Sequence, residues 1–278
     1  KTWRGAVITC PFFLNVPCIC SSPSFEKYMS EDRSVFADVA YWDSRYDEEA
    51  EAETYDWLLD WKELESILAP LLVKSQEDTI LHLGCGNSGL PEDMYDAGYK
   101  RHTCLDFSVQ AIATMKERNR VVRPELVWEV ADCTDLSNLF PNDMFDLVID
   151  KSTTDALLCH DVQALMTARY LKEAFRVTAS AGTFVCISMH DPPTILPWLH
   201  RRAFDWAVRT HRLLEKDQPR PRPGKAPQRL CANYVYVCTK RCLACFSLDK
   251  YWPILAKRVE LRPDSDLSSE GEDLEEGG

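Results

Sequence analysis

The stretch "TILHLGCGNSGLPEDM", Thr79 to Met94, runs an apolar segment into Gly84, Gly86 and Gly89, spaced GxGxxG, and then into residues that favour a helix. Glycines at the end of a strand leave no Cβ between a bound cofactor and the backbone N–H groups. Asp106 closes the next apolar segment, "HTCLDF", and a carboxylate there can accept both hydroxyls of a ribose. Neither feature chooses the cofactor, because a dinucleotide and S-adenosylmethionine would each use both. Asp132 and Cys133 in "EVADCTDL" follow a third apolar segment. A polar group there can meet an adenine amino group while an apolar neighbour packs the ring. Asp150 opens "DKSTTDALL" after a fourth segment, and this stretch is expected to line the remaining end of the cofactor and the substrate entrance. Any one of these acids could be a turn or cap residue. Acids at the tips of three successive strands read as a site.

Upstream, "YWDSRY" and "YDWLLDW" supply Tyr41, Trp42, Tyr46, Tyr55, Trp57 and Trp61. Two readings stand. The rings staple an N-terminal segment to the domain, which suits Tyr55 and Trp61, or they form a lid over the cofactor. A sulfonium is a cation, and aromatic faces attract cations.

The elements that must position these residues alternate. "DWLLDWKELESILAPLL" places Leu58, Trp61, Leu64, Leu68 and Leu71 on one helical stripe, a docking helix. "TILHL" is a strand; "LPEDMYDAG" is a helix with Gly98 as its C-terminal cap; "HTCLDF" is the next strand, and Ser108 caps "VQAIATMKERN". "LVWEVA" and "FDLVID" are strands, "VQALMTARYLKEAFRVTA" is an amphipathic helix ending before Gly182, and "TFVCISM" is a fifth strand. "HDPP", His190 to Pro193, reads as a turn. This rhythm predicts a mostly parallel, seven-stranded α/β sheet of Rossmann-like type with helices on both faces. "FDWAVRTHRLL" and "CANYVYVCTK" then read as two strands without a helix between them, an antiparallel C-terminal hairpin. The connector "EKDQPRPRPGKAPQR" reads as an extended loop. A dinucleotide dehydrogenase more usually continues with parallel units, so the hairpin turns the choice of cofactor towards S-adenosyl-L-methionine.

One domain spans roughly residues 35–245. Residues 1–28 look unlike the rest and are expected to be an N-terminal extension outside the fold, since Met29 opens an ordinary cytosolic N-terminus. Residues 246–278 form a C-terminal extension. Its acidic end carries seven acids and no base and should stay solvated. The net charge of −12 argues against a nucleic acid partner. No apolar run reaches the roughly 18–20 residues of a membrane span, and a cytoplasmic location is expected. The 12 cysteines include several inside apolar segments, such as Cys186 and Cys238, where a reduced thiol packs as a small hydrophobe. Cys238, Cys242 and Cys245 lack a completing fourth ligand in the pattern, so no metal site is expected.

Taken together, "YWDSRY", "YDW", "ILHLGCGNS", "DFS", "DKSTTDALL", "GTFVCISM" and the terminal strand pair resemble the methyltransferase-13-like group of class I methyltransferases, which includes lysine methyltransferases of elongation factor 1-alpha. The resemblance implies that Trp42, Tyr46 and Trp57 close over S-adenosylmethionine, that Gly84 sits under it and that Asp106 holds its ribose. It further implies Asp132 and Cys133 at the adenine edge and Lys151 near the methionine portion, with a protein substrate such as the elongation factor. One departure is Ser152, where the group usually has glycine, so the backbone at the substrate entrance could differ. Methyl transfer is an in-line displacement that depends on positioning. No obligatory catalytic side chain is expected, although Asp150 or a water could take the proton. A small-molecule methyltransferase, a non-catalytic module of the same fold and a Rossmann-type oxidoreductase are the competing readings.

Overall fold

The computed structural model describes residues 36, 38–48, 54–72, 77–159, 163–214 and 232–241. The N-terminal extension, the proline-rich connector, the acidic tail, and Cys242 and Cys245 lie outside them. A helix α1, Val39–Glu48, carries "YWDSRY", and α2, Trp61–Leu68, follows. The expected docking helix is shorter than its stripe. Asp60 ends the preceding segment with a capping box, its carboxylate accepting the Glu63 N–H while the Glu63 carboxylate accepts the Asp60 N–H, and such a box fixes where a helix starts. Leu58 sits before it at φ 67, and Leu71 falls in a 3-10 turn, Ala69–Leu71.

The sheet holds β1 Thr79–Leu83, β2 Arg101–Asp106, β3 Val127–Val130, β4 Phe145–Lys151, β5 Thr178–Ser188, β6 Trp206–Leu214 and β7 Ala232–Lys240. Their order is β3-β2-β1-β4-β5-β7-β6. β1 to β5 run parallel, while β7 lies antiparallel to both β5 and β6. The last two strands thus form the expected hairpin. Between them run α3 Leu90–Asp96, α4 Val109–Asn119, α5 Thr153–Leu157, α6 Gln163–Val177 and α7 Pro192–Leu199. Ser108 caps α4 by accepting the Ala111 N–H, and Gly98 follows α3 at φ 110, as expected for a glycine past a helix end. "HDPP" is more than a turn, because Pro192 and Pro193 open α7, the position where a missing N–H and a fixed φ suit a helix start. β5 is also longer than expected and begins directly after α6. Its register against β4 shifts over this stretch, where Ala181 has φ 64 and a Cβ on Gly182 would lie 2.9 Å from the Asp146 carbonyl.

Strand alternation splits the core between the two sheet faces. Leu81, Leu83, Leu105, Val148, Phe184 and Tyr236 pack with Tyr170, Leu171 and Ala174 of α6. Ile80, Leu147, Ile149, Val185 and Val235 pack with Trp61, Leu64 and Leu68 of α2 and Leu90 and Met94 of α3. Cys186 and Cys238 are buried thiols. His82 and His102 interrupt the apolar surface as a stacked buried pair. Their facing ring nitrogens are 2.9 Å apart, and the other His102 nitrogen donates to the Tyr99 carbonyl at 2.9 Å. Burial lowers the pKa of both, that of His102 to about 4.

Candidate active site

The strand order reverses direction between β1 and β4, and in such sheets ligands bind in the crevice outside the carboxyl ends. Gly84 and Gly86 follow β1 there with φ of 63° and 51°, left-handed values that glycine adopts without steric cost. The Cys85 N–H donates to the Leu105 carbonyl at 2.8 Å. The Gly86 N–H donates to one oxygen of Asp106 at 2.8 Å, and the Ser108 N–H donates to the other at 2.9 Å. The turn is thereby tied to the tip of β2. Asp106 is 4% exposed, and burial pushes its pKa up to about 6 against the pull of those N–H groups. A carboxylate has about four acceptor sites, so these N–H groups leave room for a hydroxyl.

The glycines also serve the protein's own packing. A Cβ at Gly84 would lie 2.3 Å from the Thr153 hydroxyl, and one at Gly86 would lie 2.5 Å from the Tyr46 hydroxyl. Gly84 therefore does more than leave room for a cofactor: it admits α5, whose Thr153 hydroxyl donates to the Leu83 carbonyl at 2.8 Å.

The N-terminal aromatic segment lies across this turn. From α1, Tyr46 reaches Gly86, and Asp43 accepts the Ser108 hydroxyl. From residues 54–60, the Tyr55 N–H donates to the Asn87 carbonyl at 3.1 Å, and Asp56 accepts the Ser88 hydroxyl and pairs with Lys151. Trp42 stacks on Tyr46 with ring centroids 5.7 Å apart and meets Trp57 edge-on at 6.3 Å. The cation over these rings is the chain's own: the Arg45 guanidinium sits 4.7 Å from the Trp57 centroid, 5.7 Å from Tyr55 and 5.8 Å from Trp42. The rings expected to close over a sulfonium thus already carry a guanidinium of the same chain. Helical spacing explains it, since Trp42, Arg45 and Tyr46 stand at i, i+3 and i+4 and share one side of α1. Asp56 and Arg45 were not singled out from the sequence; their signal was only their position inside the aromatic motifs.

At the tip of β4 the expected residues separate. Lys151 is nearly enclosed, its side chain 7% exposed, and burial lowers its pKa although Asp56 opposes this. Asp150, the expected proton acceptor, is fully buried. Its carboxylate accepts the N–H groups of Thr153 at 2.9 Å and Thr154 at 3.2 Å, and the Thr154 hydroxyl. It fixes the start of α5 and is fully enclosed, which speaks against Asp150 as the proton acceptor. Ser152 adopts φ 73, so the backbone keeps the left-handed form that glycine favours, and its hydroxyl donates to Asp155 at 3.3 Å. Across the site, the Ala131 N–H donates to the Asp106 carbonyl at 2.9 Å. This brings Asp132, exposed and accepting the Thr134 N–H, and half-buried Cys133 beside the tip of β2.

These groups suit S-adenosylmethionine: a carboxylate with free lone pairs at the ribose position, backbone and rings above the glycine turn, and a polar and an apolar residue one strand further. The family described as "Methyltransferase domain" matches residues 74–252. The chain belongs to this family, and its methyl donor is S-adenosylmethionine. Among its relatives is the "EEF1A lysine methyltransferase 4" of Mus musculus, 31% identical over 189 residues that cover 65% of this chain and 72% of that one. The "eEF1A lysine and N-terminal methyltransferase" of Danio rerio is 31% identical over 205 residues, 74% of this chain, which spans only 28% of that relative's length. The fold also matches a solved structure described as "Conversion of a Disulfide Bond into a Thioacetal Group during Echinomycin Biosynthesis". That match has a TM-score of 0.53 at 18% identity, covering 81% of this chain and all of the other.

Proposed function

We propose that this chain methylates the side-chain amine of a lysine on a protein, and that the protein is elongation factor 1-alpha. The carrying observation is that relatives whose names specify this substrate align with 65–74% of the chain. When bound, S-adenosylmethionine supplies an electrophilic methyl group on a sulfonium. In this reading Asp106 grips the ribose, and Asp132 and Cys133 frame the adenine. Trp42, Tyr46 and Trp57 close the site from above, Gly84 and Gly86 floor it, and Lys151 lies at the methionine end. The enzyme acts in the cytoplasm on protein, and the net charge of −12 speaks against nucleic acid as acceptor. The test is incubation of the full chain with labelled S-adenosylmethionine and recombinant elongation factor 1-alpha, then mass spectrometry. Methyl-lysine on the factor is expected. Cofactor binding without label on any cytosolic protein would refute the reading in favour of a small-molecule enzyme or a non-catalytic module.

A further inference from the structure

A lysine acceptor reaches the site as an ammonium and must lose a proton before its nitrogen can attack. With Asp150 sealed beneath α5, that proton needs another receiver. We propose that His190 receives it and that Asp155 positions His190, an assignment that rests on the amine-acceptor reading above.

Topology puts the two residues where an acceptor must enter. The ribose carboxylate and its neighbours stand on β2 and β3, on one side of the β1/β4 switch point, so the open ground on the other side is the end of β4 and β5. Asp155 lies in α5, directly after β4, and His190 lies two residues beyond the end of β5. The His190 backbone is clamped on both sides: its N–H donates to the Ser188 hydroxyl at 3.0 Å, and its carbonyl accepts the Tyr236 hydroxyl at 2.8 Å. The imidazole Nε2 stands 3.9 Å from Asp155 Oδ1, with 28% of the His190 side chain exposed against 9% for Asp155. Asp155 is itself held by the Ser188 hydroxyl, by the Met189 N–H at 3.1 Å and by the Ser152 hydroxyl. Of the titratable groups around it, Asp155 of α5 faces the imidazole at 3.9 Å, the Tyr236 hydroxyl of β7 meets the His190 carbonyl, and Asp191 follows His190 in the chain.

The arrangement is a solvent-reachable base backed by a buried carboxylate, the pairing general-base catalysis uses. The other described histidines do not offer it. His82 and His102 are buried against each other, while His200 and His211 are exposed on α7's end and on β6. In the step, imidazole takes one proton from the ammonium and leaves a neutral amine and an imidazolium. The amine lone pair then forms the N–C bond as the C–S bond breaks, its electron pair leaving with sulfur. The imidazolium returns its proton to solvent.

His190→Gln keeps a polar side chain at the site but cannot take a proton. The expected result is cofactor affinity within twofold of wild type by calorimetry, and kcat at pH 7 lower by about 100-fold. The acid side of the pH–rate profile should flatten, and added imidazole should restore part of the rate. A readout independent of turnover is diethyl pyrocarbonate mapping of the free protein. His190 should be modified, and it should be protected by an acceptor-lysine peptide together with S-adenosylhomocysteine. His200 and His211 should react in both cases, and His82 and His102 in neither. A His190→Gln enzyme with wild-type kcat and an unchanged pH profile would overturn the assignment and leave the lysine reading standing. A wild-type enzyme that binds cofactor but labels no protein would overturn both.

Discussion

Gly86→Ala, read in a cycle with Tyr46→Phe, tests whether α1 rests on the glycine turn. Gly86 has φ 51, and alanine in the left-handed region costs about 1–2 kcal/mol. The new Cβ would also meet the Tyr46 hydroxyl at 2.5 Å, so that oxygen must retreat by about 1 Å to reach ordinary contact. Tyr46 carries Trp42 on its ring, so the retreat displaces the aromatic cover as well. Together these should cost about 2–3 kcal/mol of stability and weaken S-adenosylmethionine binding about tenfold, or about 1.4 kcal/mol. Tyr46→Phe removes the offending oxygen and leaves the ring carbon at 3.3 Å as the nearest atom. In that background Gly86→Ala should cost only its backbone part, giving a coupling of about 1 kcal/mol. Urea unfolding and calorimetry on the four proteins measure both quantities. Additivity to within about 0.3 kcal/mol would mean that Tyr46 does not bear on the turn in solution, and the account of a cover seated on Gly86 would fail.

Three further outcomes follow from particular contacts. Asp106→Asn should weaken cofactor binding at least tenfold by calorimetry, and it should cost about 1–3 kcal/mol of stability because its amide turns a donor towards the Gly86 or Ser108 N–H. Asp56→Ala leaves the enclosed Lys151 ammonium without its carboxylate and should cost about 3–5 kcal/mol; Asp56→Ala/Lys151→Met should recover most of that loss in thermal unfolding. His102 has a folded pKa of about 4 against 6.5, so its contribution is present above 6.5 and lost as pH falls to 4, about 3 kcal/mol in all. Asp106 and Asp150, raised to about 6, act oppositely: their contribution is full below 3.8 and lost as pH rises through 6. His102→Gln should remove the His102 share of the acid-side loss and leave that of buried His82 as well as the carboxylate effect, so the variant should lose less stability than wild type between pH 7 and pH 4.5 by urea titration. A variant with the wild-type pH slope would show that the histidine pair does not titrate on unfolding.

What the sequence displayed was whatever short-range rules govern. β1 is "TILHL" to the residue because alternation and the following glycines bound it on both sides, and the terminal hairpin was legible because no helix-forming run separates its strands. The docking helix was overextended because Leu58 continues the apolar stripe, while the Asp60–Glu63 box, a local hydrogen-bond pattern, sets the true start. The α7 start at "HDPP" was missed because paired prolines signal a turn and a first helical turn alike. The candidate residues lie at or just past strand ends, where the sequence put them, but their contacts were not visible. Nothing in "YDW" announces that Asp56 will pair with a lysine 95 positions later, and nothing in "YWDSRY" announces that α1 will lay Arg45 over Trp57.

Asp106 and Asp150 show why burial and a raised pKa do not by themselves identify a working carboxylate. Both lie at the end of a parallel strand, both are raised to about 6, and desolvation is the leading cause in each. They differ in what holds them. Asp106 is held by backbone N–H groups from two loops that meet at the cofactor crevice, and it remains slightly open. Asp150 accepts two N–H groups and a hydroxyl from the start of α5 and has the Tyr170 phenol of α6 beside it, with nothing exposed. A carboxylate of the first kind gains partners when a diol arrives; one of the second kind would have to release the start of α5, and with it Thr153 against Gly84, before it could accept a proton from outside. The proton chemistry of transfer is therefore displaced from β4 to the next strand along, where the clamped backbone of His190 can present an imidazole without disturbing the glycine turn.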